Sequence, residues 1–197
     1  ADVLDQVSGS VAVYAHPDAI LPKYQRVETG IRDIGMPAHC RDALAEERCR
    51  FAVSRHPLDL GHGINTTGEI PRLHPEETIT DRFYRDLDGQ EMDALLDDQA
   101  LFIETAKGIT AVLGCAHAGV INTLDHICTL TGNKSIHAVL GGMHLRSATA
   151  ARMKWTIREL PRFRLDFLVP MHCTGQKPIA TLGAAFPHLW QPSGAGT

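Results

Sequence analysis

The sequence predicts an α/β layered fold, and three observations carry that reading. From Ala100 onward, strand-like apolar runs alternate with stretches of helical spacing. Three of those runs, Ile109 to Leu113, Ile136 to Leu140 and Phe167 to Val169, lead into His117, His144 and His172. These histidines stand 27 and 28 residues apart, close to the roughly 30-residue length of one strand–helix–strand unit. Successive units of that kind put their strand ends on one edge of a sheet, so the three imidazoles are expected to converge.

Taken in order, residues 2 to 7 read as the tail of a helix ended by Ser8-Gly9-Ser10. Val11 to Tyr14 is a short strand, and Pro17 suits a first helical position. Residues 30 to 75 are rich in Gly, Pro, His and charge and show no sustained period. They read as long loops with short strands such as Arg50 to Val53, and loops of that length are usually functional or disordered. The acidic segment Asp81 to Asp98 reads as a solvated surface excursion, with Asp97-Asp98 as an exposed turn in preference to a place beside the site. Leu101 to Thr105 alternates into a strand, Lys107-Gly108 turns, and Ile109 to Leu113 returns. Val120, Ile121, Leu124, Ile127 and Leu130 fall at helical spacing, with Gly132-Asn133 as the stop. Ile136 to Leu140 is a buried strand, and Ser147 is the expected N-cap of a helix stopped by Pro161. A strand at Phe167 to Val169 and a helix from Pro178 to Phe186 follow. The glycine-rich end after Pro192 is expected to fray.

The bulk numbers narrow the class. With 197 residues, 44% hydrophobic and 21% charged, the chain suits a single domain spanning 1–197. A net charge of −4 offers no polyanion-binding surface, which argues against nucleic acid as a partner. No run of eighteen apolar residues exists, so no membrane span is expected. Five scattered cysteines without a CxxC pair argue against a disulfide framework and for a reducing, cytoplasmic setting.

His117, His144 and His172 each sit in a turn with small or glycine neighbours: Gly114-Cys115-Ala116-His117, Gly141-Gly142-Met143-His144 and His172-Cys173-Thr174-Gly175. Neutral imidazole is a common zinc ligand, and three suffice for one metal with an open position. The adjoining helix N-termini would also attract phosphate or carboxylate. Cys115 and Cys173 could ligate metal, although small cysteines are more often core residues. Glu69 and Arg72, around Pro71, are a candidate substrate-facing pair or equally a surface ion pair, and Asn122 and Thr174 are candidate hydrogen-bonders to substrate, although such residues more often cap a helix.

Together with Asp98 to Leu101, Thr67 to Arg72 and Tyr14 to Pro17, these motifs resemble one branch of the metallo-β-lactamase-fold hydrolases. That branch is named for 7,8-dihydropterin-6-methyl-4-(β-D-ribofuranosyl)aminobenzene-5′-phosphate synthase. The resemblance covers essentially the whole chain. It implies an αββα sandwich with divalent metal, one or two ions per complete site, zinc first with manganese or iron as alternatives. It implies that His117 matches the histidine completing the first metal site and His172 the final histidine, serving the second. The segment bearing His144 occupies the region of the bridging aspartate, and His144 lines the site as a ligand or proton-handling neighbour. The superfamily's His-x-His-x-Asp-His signature occurs nowhere here and would fall upstream of Ala1. The chain is therefore expected to be incomplete at its N-terminus, the C-terminal part of the domain, and a poor catalyst by itself.

The expected function is metal-dependent hydrolysis of a small ester, lactone or phosphoester. Two rivals are a non-catalytic module of the same fold that binds an anionic ligand or partner chain, and a cysteine-dependent enzyme using Cys173. A sheet edge left open by missing strands would favour a homo-oligomer.

Overall fold

A computed structural model describes residues 6–78, 82–132 and 135–192. By their contacts these residues form two compact units, one drawn from 6–55 and 82–97, the other from 56–78, 98–132 and 135–192.

In the first unit, β1 (Val11–Ala15) pairs in parallel with β4 (Cys49–Val53). A hairpin joins β2 (Tyr24–Val27) to β3 (Gly30–Asp33), and β2 also meets the short β6 (Phe83–Tyr84). Pro17 opens a single 3-10 turn, as its fixed φ suggests. A charged network ties this unit together. Asp18 Oδ1 accepts from Arg55 at 3.0 Å and Oδ2 from Arg85 at 2.6 Å, while Lys23 Nζ reaches both Asp93 and Asp97 at 2.8 Å.

Two sequence expectations change here. Residues 30 to 75 contain, besides β4, a seven-residue helix, α1 (Ala38–Leu44), and the short strand β5 (Ile64–Thr66). Helix α1 buries only Ala43, so it left no apolar stripe to read. Nor is Asp81 to Asp98 a solvated excursion: Phe83, Tyr84, Asp93 and Leu95 are buried. Lys23 neutralises Asp93, which lets an acidic segment pack. Asp81 itself lies outside the described residues.

The second unit holds a five-stranded sheet in the order β10 (Phe167–Met171), β9 (Ile136–Gly142), β8 (Gly108–Leu113), β7 (Ala100–Thr105) and β5. β7 (Ala100–Thr105) and β8 (Gly108–Leu113) form the expected antiparallel hairpin, and β5 lines up antiparallel to β7. From β8 the chain alternates as expected: α2 (Val120–Thr131), β9 (Ile136–Gly142), α3 (Ala150–Glu159), β10 (Phe167–Met171) and α4 (Gln176–Ala185). β8, β9 and β10 run parallel. The core lies between sheet and helices: Ile121, Leu124 and Ile127 of α2, Val139 of β9, Leu168 of β10 and Leu182 of α4 are fully buried.

Gly132 ends α2 in a left-handed conformation, as the sequence suggested, while Asn133 lies outside the described residues. The cap of α3 is Thr149, whose Oγ1 accepts from the Arg152 amide at 3.1 Å, and not Ser147. Ser147 instead falls inside a turn closed by the Ala148 amide donating to the Leu145 carbonyl. Pro161 ends the α-helical run by starting a 3-10 turn, Leu160–Phe163. The helical tail expected at 2 to 7 falls mostly, and the frayed end after Pro192 wholly, outside the described residues. No helix among the described residues is long and apolar enough to cross a membrane.

Candidate metal centre

The parallel register decides where the histidines go. Leu113 of β8 lies beside Gly141 of β9, and Gly142 beside Met171 of β10. The three strands thus end level and hand the chain to loops on one sheet edge, as the even spacing implied. The Gly142 amide donates to the Gly114 carbonyl, and the Met143 amide to Thr174 Oγ1, both at 3.0 Å, locking the loops together. Ala116, His144 and His172 all adopt left-handed backbone, with φ of 53°, 45° and 51°. For residues other than glycine this costs about 1–3 kcal/mol, and such strain concentrates at functional sites.

The His117 and His144 rings meet edge to face, their centroids 4.6 Å apart. Behind His117 stands Asp98, its Oδ1 3.8 Å from His117 Nδ1 and its Oδ2 accepting from the Ala118 amide at 2.9 Å. The Asp98 side chain is only 6% exposed, so the solvated turn expected there is replaced by a buried carboxylate facing an imidazole. Burial pushes the Asp98 pKa up, against the Ala118 amide and the His117 charge. A carboxylate behind a ligating histidine sets the tautomer and orientation of its ring.

On the other side, His144 hydrogen-bonds the Cys173 sulfur through its side chain and backbone. Cys173 Sγ lies 3.3 Å from the Cys115 carbonyl oxygen, which accepts its proton whenever the sulfur is a thiol. The two thiols also interact with each other. That contact, with His144 and against burial, holds Cys173 down to about 4. The same contact and burial push Cys115 up, so of the two sulfurs Cys173 gives up its proton first. The donor atoms of Cys115, His172 and Cys173 all lie within 4.8 Å of one another. Two sulfurs and an imidazole fit a zinc-like divalent metal by donor chemistry. The structure therefore gathers His172 with the two cysteines, and sets His117 beside His144 and Asp98.

The other candidates divide. Arg72 is exposed and its charge is felt at Asp98, while Glu69 is half-buried. Asn122 and Thr174, read from sequence as substrate-binding, are built into the fold. Asn122 is 2% exposed, accepts from the Leu73 and His74 amides, and donates to the Ala118 carbonyl. Thr174 is fully buried between the Met143 amide and the Met171 carbonyl.

Nor is the start of α2 open to a substrate anion. Glu77, 2% exposed, accepts from the Ile121 amide at 2.9 Å and the Asn122 amide at 2.7 Å. Gly119 (φ 105°) makes room for it, since a Cβ there would overlap the Glu77 carboxylate. Asp98 did not stand out in sequence because it sits in an acidic segment that reads as solvated, and no local motif marks Glu77.

No protein-family model matches the chain. Among curated proteins it is 26% identical over 179 residues to a 7,8-dihydropterin-6-methyl-4-(β-D-ribofuranosyl)-aminobenzene-5′-phosphate synthase of Methanocaldococcus jannaschii, covering 89% of this chain and 61% of that protein. It is 31% identical over 180 residues to an uncharacterized protein of the same organism, covering 90% of this chain and 63% of that one. The chain thus spans about three-fifths of the length of these relatives. Among solved structures it superposes with a TM-score of 0.81 on a metal-dependent hydrolase of the β-lactamase superfamily, at 24% identity over 96% of this chain and 71% of the other. The chain has the metallo-β-lactamase fold, and its sequence resembles the branch that includes the dihydropterin-linked phosphate synthase.

Proposed function

We propose that this chain carries part of a metal-dependent hydrolytic site acting on a small ester, lactone or phosphoester. The observation that supports it most is the meeting of three histidines, two cysteines and a buried aspartate on one edge of the sheet. His117 and His172 would hold a divalent metal, zinc before manganese or iron, at one or two ions per site. When bound, such a metal polarises a carbonyl or phosphoryl oxygen and lowers the pKa of water.

The chain's own residues do the rest. Asp98 fixes the His117 ring. His144, between His117 and Cys173, would hold or pass a proton. Arg72 would meet an anionic group on the substrate, with Glu69 as the second substrate-facing residue. Cysteines that are not joined in disulfides suit a reducing compartment such as the cytoplasm. A second reading, a bond-forming reaction on a phosphorylated substrate, is favoured by the synthase name of one relative.

The test measures metal content and turnover of ester, lactone and phosphoester substrates, with and without chelator. His117→Ala and His172→Ala are expected to lose metal and to lower turnover at least about a hundredfold, a barrier increase of about 2.7 kcal/mol. Unchanged metal content and turnover in both variants would sink the proposal. Anion binding that persists in chelator without turnover would favour the binding module. Sensitivity to thiol alkylation but not to chelation would favour a Cys173 nucleophile.

A further inference from the structure

We infer that Cys115 and Cys173 are metal ligands and that, with His172, they make the centre a thiolate-rich one selective for zinc-like metals. The inference rests on the metal-dependent reading above and deepens it. The resemblance implies histidine ligands alone; the sulfurs are assigned from this structure.

Three arguments support the assignment. The first is convergence: the two sulfurs arrive from loops 58 residues apart in sequence, yet they and an imidazole nitrogen fall within 4.8 Å. Two sulfurs and one nitrogen, with one position left open, are what a zinc site with exchangeable water requires. The second is space. Gly142 lies between the two loops, and a Cβ there would come 2.6 Å from Cys173 Sγ and 3.2 Å from Cys115 Cα. Any side chain at 142 would push the sulfur away, so the backbone at the end of β9 is thinned where the sulfurs meet. The third is access: Cys115 and Cys173 are half-buried and His172 is exposed, so an ion can enter from solvent. A pair of core cysteines would need neither the opening nor the exposed imidazole.

The consequence is selectivity. Thiolates favour zinc, cobalt and cadmium over manganese and magnesium, which prefer oxygen. Binding forms two sulfur–metal bonds and releases to solvent whatever proton the two sulfurs still hold.

The experiment is a cobalt(II) titration of the full 197-residue chain, followed by absorbance. A thiolate-to-cobalt charge-transfer band in the near ultraviolet is expected, displaced by zinc and unaffected by excess manganese. Cys115→Ser and Cys173→Ser should each weaken that band. Each should also lower zinc affinity by more than the roughly 10–100-fold lost when an outer partner of a ligand is removed. A second measurement needs no variant: zinc should shield two of the five thiols from a disulfide reagent, and chelator should expose them again. Cobalt bound through visible d–d bands alone, with all five thiols still reactive, overturns the thiolate assignment and leaves the histidine reading standing. No binding of cobalt or zinc overturns both.

Discussion

Glu77 offers a sharp test of how this sheet edge is held. Its carboxylate is buried and takes the Ile121 and Asn122 amides at the start of α2, the helix that follows the His117 loop. In Glu77→Ala those two donors lose their acceptor inside the protein. A buried donor left unpaired costs about 1–3 kcal/mol, so the pair should cost roughly 2–6 kcal/mol. For a chain of this size that corresponds to a drop in melting temperature of about 4–24 °C. Urea unfolding followed by circular dichroism, beside a thermal scan, reads both quantities. Glu77→Gln keeps one carbonyl acceptor and should lose less than half as much.

The pH dependence is a second signature. Burial raises the Glu77 pKa above its ordinary 4.5, against the two amides and the charges of Arg152 and His74. The folded protein therefore binds this proton more tightly than the unfolded chain does. The associated stability is fully present below pH 4.5 and is lost as pH rises through the folded value. Glu77→Gln should flatten that part of the stability profile. A Glu77→Ala loss under about 0.5 kcal/mol would refute the capping role, since surface substitutions commonly fall in that range.

Two other outcomes follow from the same geometry. In the first unit, Arg85 and Arg55 outweigh burial and hold Asp18 below its ordinary 3.8, so its contribution is present above pH 3.8 and is lost as pH falls through the lower folded value. Asp18→Asn should cost about 1–3 kcal/mol at pH 7 and progressively less as pH falls below 3.8, checked by urea midpoints over a pH series. Asn122→Ala should lower stability by about 2–4 kcal/mol while leaving the zinc stoichiometry unchanged, measured by urea unfolding and metal analysis. A stable Asn122→Ala variant with impaired ligand binding would return Asn122 to the substrate-contact role its sequence position suggested.

The second half of the fold was readable because a βαβ alternation writes two periods into the sequence. Strand runs near 109, 136 and 167 and the helical spacing from Val120 fixed where His117, His144 and His172 had to emerge. Local composition misled elsewhere. Asp98 follows Asp93 and Asp97 in an acidic stretch, so nothing local distinguished the one carboxylate that turns toward a histidine. Glu77, after Pro75-Glu76, carries no local mark of burial, because its partners are 44 and 45 residues away. Cys115 and Cys173 could be read as ordinary core sulfurs until β8, β9 and β10 brought their loops together. Asn122 differs in the opposite sense, a polar residue near the site whose side chain bonds the Leu73, His74 and Ala118 backbone.

The fit between Gly119 and Glu77 ties two distant positions to a shared fate. A methyl group at 119 has no room while the long acid occupies 77, and a shorter acid at 77 would leave the Ile121 and Asn122 amides out of reach. Drift at either position alone is penalised, so among relatives that keep this helix start the two should change together or not at all. Covariation between 77 and 119 would thus report, from sequence alone, which relatives close the mouth of α2 with their own carboxylate and which leave it open to a ligand.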